Sequence, residues 1–106
     1  MIVAVIDIGK TNAKVALVDL ASMAEVALRR TANAVIADGP YPHHDVERLW
    51  GFILDSLANL NREQRIDAVS ITTHGATAVL VDAKGGLALP VIDYEFAGID
   101  ELAQDY

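Results

Sequence analysis

The amino-acid sequence predicts a mixed α/β fold in which antiparallel strands open a sheet and one helix crosses to a parallel strand. Two strand-like apolar runs, Ile2 to Ile6 and Ala13 to Asp19, stand at the beginning of the chain. Apolar residues then recur at helical spacing from Val46 to Leu57, and a further strand-like run, Ile66 to Thr73, follows. A helix followed by a strand is typical of a crossover between parallel strands.

Composition limits the classes of protein and partner. The chain has 106 residues, of which 53% are hydrophobic, and this fits one domain with a modest core. Its net charge of -7 argues against nucleic acid or an anionic membrane as the main partner. A nucleotide is not excluded, because one small site can be locally positive. The chain has no cysteine and no basic segment before its first apolar run, so we expect a cytoplasmic protein.

The first elements are predicted to form a hairpin. The run from Ile2 to Ile6 is continuously apolar, which is typical of a strand that is buried on both faces. Only Gly9 to Asn12 lie clearly between this strand and the strand Ala13 to Asp19, so the two strands should pair antiparallel. The segment from Glu25 to Ala34 fits an edge strand or a short helix about equally well.

The later elements follow from periodicity and turn residues. Asp45 is expected to cap the helix, which should end between Asn59 and Asn61. Trp50 lies on the apolar side of that helix and is expected in the core. Two further strands, Thr77 to Asp82 and Leu87 to Ile92, are predicted on either side of a turn.

The Gly-Lys-Thr sequence at positions 9 to 11 is not a P-loop. A P-loop has a glycine five positions before Gly9, where this chain has Ala4, and a helix after the Lys10-Thr11 pair. Here an apolar strand follows instead.

A hairpin turn can hold an anion by another route. Successive backbone N–H groups from Gly9 to Asn12 can form a concave site for phosphate, and Lys14 can add positive charge. Asp7 stands at the end of a strand, where a magnesium ion held through water would balance its charge. The alternative is an ordinary β-turn that Asp7 caps through the backbone, and the residues alone leave both open.

Three stretches resemble known kinase motifs. The segment from Asp7 to Lys14 resembles the first phosphate motif of the actin, hexokinase and Hsp70 superfamily, commonly Asp-x-Gly-Thr/Ser. "SITTHGAT" (Ser70 to Thr77) is similar to the end of the sugar-contacting "GQMHGAT" segment of FGGY carbohydrate kinases. "DAKGGLALPVIDYE" (Asp82 to Glu95) is similar to the stretch that follows in that family.

The chain also departs from those motifs. Lys10 stands where threonine is usual, and Thr72 and Thr73 replace a glutamine and a methionine. Tyr94 occupies a tryptophan position, and Phe96 occupies an aspartate position. The departures cluster in the sugar-contacting stretches.

The resemblance implies a ribonuclease-H-like fold of the actin-like ATPase superfamily. It implies transfer of the ATP γ-phosphate to a hydroxyl of a pentulose, a deoxyketose or a related polyol, with ATP and Mg²⁺ as cofactors. The residues that it assigns fall into two groups. The phosphate group, in which Asp7 also holds the metal, is Asp7, Gly9, Lys10, Thr11, Asn12 and Lys14, and the sugar group is Thr73, His74, Gly75, Tyr94 and Glu95.

The resemblance covers residues 1–106 as part of the N-terminal domain of a two-domain kinase. The catalytic aspartate, the second phosphate motif and the adenosine motif of that family lie farther along a longer chain. We therefore expect the 106 residues to be inactive alone and to form homo-oligomers through uncovered faces. The alternatives are another kinase or ATPase of the superfamily, and a non-catalytic binding or assembly module with the same fold.

Overall fold

The computed structural model describes residues 1–102, which fall into two compact units. The first unit combines Met1–Ala34 with Asp45–His74, and the second combines Val35–His44 with the segment from Gly75 onward. In chain order the elements are β1 (Ile2–Ile8), β2 (Asn12–Asp19), β3 (Ala24–Ala32), β4 (Val35–Ile36), β5 (His43–His44), α1 (Val46–Glu63), β6 (Ala68–Thr73) and α2 (Gly98–Leu102).

The first unit is built on a four-stranded sheet with the order β3-β2-β1-β6. β1 and β2 pair antiparallel from Ile2 opposite Asp19 to Ile8 opposite Ala13, as the predicted hairpin requires. β3 adds to β2 antiparallel, which resolves the choice between a strand and a helix for that segment. β6 pairs with β1 in the parallel direction, so the predicted crossover through α1 is confirmed.

The core of the first unit lies between one face of this sheet and α1. Alternate apolar residues of β1 and β2 form one buried cluster with two apolar residues of α1. The cluster is Ile2, Ala4, Ile6, Val15, Leu17, Ile53 and Leu60. The prediction that the first strand is buried on both faces is wrong. Val3 and Val5 point to the other face and are only half-buried, so β1 alternates as strands covered on one side do.

Helix α1 begins as predicted and ends later. The Asp45 side chain accepts a hydrogen bond from the Arg48 amide at 3.2 Å, which caps the helix. The last helical residue is Glu63, beyond the predicted end. Within residues 1–102, no helix is both long enough and apolar enough to cross a membrane.

The prediction that Trp50 lies in the core is wrong, because the indole is 56% exposed. Arg48 and Glu63 contact β3 from one side of the helix. The Arg48 guanidinium donates to Thr31 Oγ1 at 3.0 Å and to the Ala32 carbonyl, and Glu63 pairs with Arg29 at 2.7 Å. Trp50 lies on the opposite side of the apolar stripe, and that side faces away from the sheet.

The second unit contains less regular structure than the sequence predicts. The strands expected at Thr77 to Asp82 and Leu87 to Ile92 are reduced to isolated bridges, Val81 opposite Leu87 and His43 opposite Ile92. The turn between them is present: Gly85 has φ +83°. Pro90 has no N–H, so a regular ladder cannot run through it.

Because its side chain lies in the core, Leu17 is the residue of the sheet whose truncation should destabilise the fold most clearly. Leu17 is 1% exposed and faces α1, whereas Leu28 on the neighbouring strand is 37% exposed on the other face. We expect Leu17→Ala to lower the free energy of unfolding by about 2–5 kcal/mol. The matched change Leu28→Ala should lower it by about 1 kcal/mol or less. Urea denaturation of both variants checks this, and equal losses would contradict the assignment of the core face.

The outer edge of β6 is expected to mediate self-association. All six residues of this strand are exposed and none is charged, including Val69 at 51% and Ile71 at 68%. Charged residues commonly protect edge strands from pairing with another chain. We expect the mass in sedimentation equilibrium to rise with concentration, and Ile71→Lys to suppress the rise.

The other edge strand supplies the control for this experiment. Val26 on β3 is 47% exposed but has charged neighbours on its strand, so Val26→Lys should leave the association unchanged. A monomer mass at every concentration of the wild-type chain would contradict the expectation.

Candidate functional site

The turn between β1 and β2 is closed by one short backbone hydrogen bond. The Gly9 amide donates to the Asn12 carbonyl at 2.8 Å. A Cβ on Gly9 would lie 3.0 Å from that carbonyl oxygen, closer than ordinary van der Waals contact. A glycine in a phosphate-binding turn lets the anion approach the backbone. The structure gives a second reason for glycine at this position, since a side chain would crowd the hydrogen bond that closes the turn.

The side chains of the turn present donors at its surface. Thr11 and Asn12 are exposed, and the Asn12 amide donates to Thr11 Oγ1 at 3.1 Å. Lys10 is half-buried. Strand β2 begins at Asn12, directly after Lys10-Thr11, so the exclusion of a P-loop helix is confirmed.

Asp7 and Lys14 lie directly opposite each other on β1 and β2. Lys14 Nζ is 3.9 Å from Asp7 Oδ2, and the side chains are 38% and 44% exposed respectively. The lysine therefore offsets the aspartate charge at the strand end, and both remain accessible to a ligand. An exposed pair of this kind stabilises a fold by at most about 1 kcal/mol, so it can open at little cost when another charged group approaches.

A magnesium ion fits this site only in its hydrated form. Among residues 1–102, no three histidine or acidic side chains are grouped so that they could hold a metal ion together. Mg²⁺ commonly keeps several waters and binds through one or two carboxylates and phosphate oxygens. The half-exposed Asp7 carboxylate satisfies the protein side of that arrangement.

His74 is attached to the same end of β1. It follows β6, and its backbone amide and its ring Nδ1 contact the Ile8 carbonyl oxygen at 2.9 Å and 3.1 Å. A carbonyl oxygen only accepts, so Nδ1 carries a hydrogen, and in the neutral ring Nε2 holds the lone pair. Thr73 pairs with Ile8 in the sheet. The structure thus brings two predicted sugar residues to the residue that precedes Gly9.

The remaining predicted sugar residues belong to the second unit. Gly75 has open space where a Cβ would stand, and the neighbouring Ala76 has φ +63°. Tyr94 is 39% exposed. Glu95 is exposed, and its amide donates to the Asp93 carboxylate at 3.2 Å. The sugar-binding roles of these residues stay predictions.

One polar residue near the turn was missed in the sequence. Asn33 follows β3 and is only 6% exposed. Its side chain donates to the Gly9 carbonyl at 2.8 Å, and its amide donates to the Thr11 carbonyl at 2.9 Å. The available signal was a single amide side chain between two alanines at the end of a strand.

Comparisons with known proteins identify structural relatives. A carbohydrate kinase from Novosphingobium aromaticivorans matches 97% of this chain with 29% identity and a TM-score of 0.81. A xylulose kinase from Rhodospirillum rubrum matches 100% of it with 23% identity and a TM-score of 0.75. A glycerol kinase from Plasmodium falciparum, solved with ADP, matches 98% with 17% identity and a TM-score of 0.71. No protein-family model and no curated protein matches the sequence.

The match covers only part of each relative. This chain spans 22% of the Novosphingobium kinase, 24% of the Rhodospirillum kinase and 22% of the Plasmodium kinase. The resemblance indicated by the motifs is confirmed by the structure: over nearly its whole length, the chain is similar to about a fifth of an FGGY-type carbohydrate kinase.

Proposed function

We propose that this chain is the phosphate- and sugar-binding part of a kinase that transfers the γ-phosphate of ATP to a sugar hydroxyl. The observation that carries the proposal is the turn between β1 and β2, with His74 bonded to the adjacent Ile8 carbonyl. The chain resembles a carbohydrate kinase at 29% identity, with a TM-score of 0.81 over 97% of its length. We accordingly assign the fold to the ribonuclease-H-like, actin-like ATPase superfamily, and the compartment to the cytoplasm, where ATP is available.

The turn would hold the β- and γ-phosphates. Backbone N–H groups of a tight turn form a fixed concave site for anions, and Gly9 leaves its surface open. The exposed Thr11 and Asn12 side chains add neutral donors, and Lys10 adds a positive charge. Such groups stabilise the charge on a transferring phosphoryl group without changing position during the reaction.

Asp7 would hold a hydrated magnesium ion through its carboxylate. The ion would supply positive charge to the phosphate oxygens when it is bound. Lys14, which pairs with Asp7 at 3.9 Å, could leave this exposed pair at little cost and add its charge to a phosphate. Both side chains are partly exposed, so this exchange requires no buried charge to be moved.

The sugar would bind beside the turn. The ring of His74 is held at the Ile8 carbonyl through Nδ1, and we propose that this ring contacts a sugar hydroxyl. Thr73 beside it would add a second contact. For Gly75, Tyr94 and Glu95 of the second unit we propose sugar-binding roles from the resemblance alone, with a pentulose, a deoxyketose or a related polyol as the substrate. None of these residues is assigned as the catalytic base, so we propose that the 106 residues bind ligands without catalysing the transfer.

We expect Asp7→Asn to weaken binding of Mg-ATP by about tenfold or more, because a hydrogen bond to a charged group contributes about 1.5–3 kcal/mol. Titration calorimetry with this chain measures the effect, and removal of Mg²⁺ with EDTA should abolish the difference between variant and wild type.

The control for Asp7 is Asp55→Asn. It removes the same charge from an exposed position on α1, so it should leave the affinity within about twofold. Equal affinities of the Asp7 variant and the wild type would argue against this site.

His74→Phe is expected to separate the two ligands. The change keeps an aromatic ring but removes Nδ1 and Nε2, so binding of a ketopentose should be lost while Mg-ATP affinity changes by about threefold or less. Chemical-shift titration with a ketopentose panel measures this. The control is His43→Phe, since His43 belongs to β5 and its Nδ1 donates to the Tyr41 carbonyl. Identical sugar-induced shifts in wild type and His74→Phe would rule out the role of His74.

A further inference from the structure

We infer that Asn33 is a positioning residue, which holds the turn between β1 and β2 in the shape that binds phosphate. The inference rests on the proposed function. It concerns a residue that belongs to neither of the groups assigned by resemblance.

Asn33 bonds to two carbonyls of one four-residue turn. Its side-chain amide reaches the Gly9 oxygen at 2.8 Å, and its backbone amide reaches the Thr11 oxygen at 2.9 Å. The first bond spans 24 positions in the sequence. The conformation of the turn is therefore tied to the end of β3, rather than fixed only by the two strands that it joins.

These two bonds determine where the N–H groups of the turn point. A peptide unit is planar and trans, so its N–H is directed away from its C=O. The Gly9 carbonyl shares a peptide unit with the Lys10 amide, and the Thr11 carbonyl shares one with the Asn12 amide. By holding both carbonyls toward itself, Asn33 directs the Lys10 and Asn12 N–H groups to the opposite side, as an anion-binding turn requires.

Burial makes this arrangement specific. Asn33 is 6% exposed and its bond to the Gly9 carbonyl is partly buried, so water competes little for the side-chain amide. A partly buried carbonyl that loses its donor costs free energy, and the turn would rearrange to recover a donor. The hydrogen bond between the exposed side chains of Thr11 and Asn12 lies within the turn. It therefore cannot replace the bond that Asn33, after β3, makes to the Gly9 carbonyl.

The decisive variant is Asn33→Asp, which keeps the size of the side chain but removes its N–H donors. A carboxylate would then face the Gly9 carbonyl oxygen, two acceptors without a proton between them, close to where the anion binds. Asn33→Ala removes the bond without adding a charge. The matched control is Asn61→Ala, because Asn61 also makes one bond to the backbone, from the Ile66 amide to its Oδ1 at 2.9 Å, but at the end of α1.

Two measurements on this chain test the inference. In hydrogen exchange followed by NMR, the Gly9 amide should exchange about tenfold faster in both Asn33 variants relative to core amides such as Ile6, and unchanged in Asn61→Ala. In titration calorimetry, Mg-ATP affinity should fall roughly fivefold to tenfold in Asn33→Ala, further in Asn33→Asp, and at most about twofold in the control.

The outcomes distinguish this inference from the proposed function. Unchanged exchange at Gly9 in Asn33→Asp overturns the positioning role, whatever the ligand does. Faster exchange with unchanged Mg-ATP affinity also overturns it, because the shape of the turn would then not matter for binding. A wild-type chain that binds no Mg-ATP overturns the proposed function, and the exchange rates still decide whether Asn33 holds the turn.

Discussion

The hydrogen bond from the Gly9 amide to the Asn12 carbonyl is the constraint on which the candidate site depends. It closes the hairpin at 2.8 Å, two residue pairs beyond the pair of Asp7 and Lys14. β1, the strand that leads into the turn, lies between β2 and β6 in the sheet. It pairs antiparallel with β2 and parallel with β6. β2, which leaves the turn, also has a partner on each side, so the turn is held between the two interior strands of the sheet.

Two hydrogen bonds, one from each edge of the sheet, meet at the end of β1. His74, after β6, donates to the Ile8 carbonyl, and Asn33, after β3, donates to the Gly9 carbonyl. Consecutive carbonyls are therefore held from opposite sides of the sheet. The Ile8 carbonyl shares a peptide unit with the Gly9 amide. A movement of the turn on binding phosphate would therefore displace the hydrogen-bond partner of His74, which connects the proposed sugar and phosphate contacts.

The β1–β2 hairpin, β6, the helix cap and the crossover were predictable because local patterns determine them. The hairpin follows from four polar or small residues between two apolar runs, and Asp45 from its place before a helical repeat. Trp50 was not predictable, because it lies at the edge of the apolar stripe and the packing of α1 on the sheet buries Ile53, Ser56 and Leu60 instead. Asn33 was missed for a similar reason: its partner is 24 positions away, and no local pattern marks it.

The sheet register also explains how an acidic chain can present a local site for an anion. Asp7, Lys14 and Arg30 are paired across β1, β2 and β3, so their side chains share the face opposite α1. Adjacent strands are about 4.8 Å apart, well within the screening length of about 8 Å at physiological ionic strength. This row carries one more positive than negative charge, and Lys10 adds to it. A net charge of -7 for the whole chain is therefore compatible with phosphate binding, since the cations at the turn are close to the ligand and most of the acidic residues lie elsewhere along the chain.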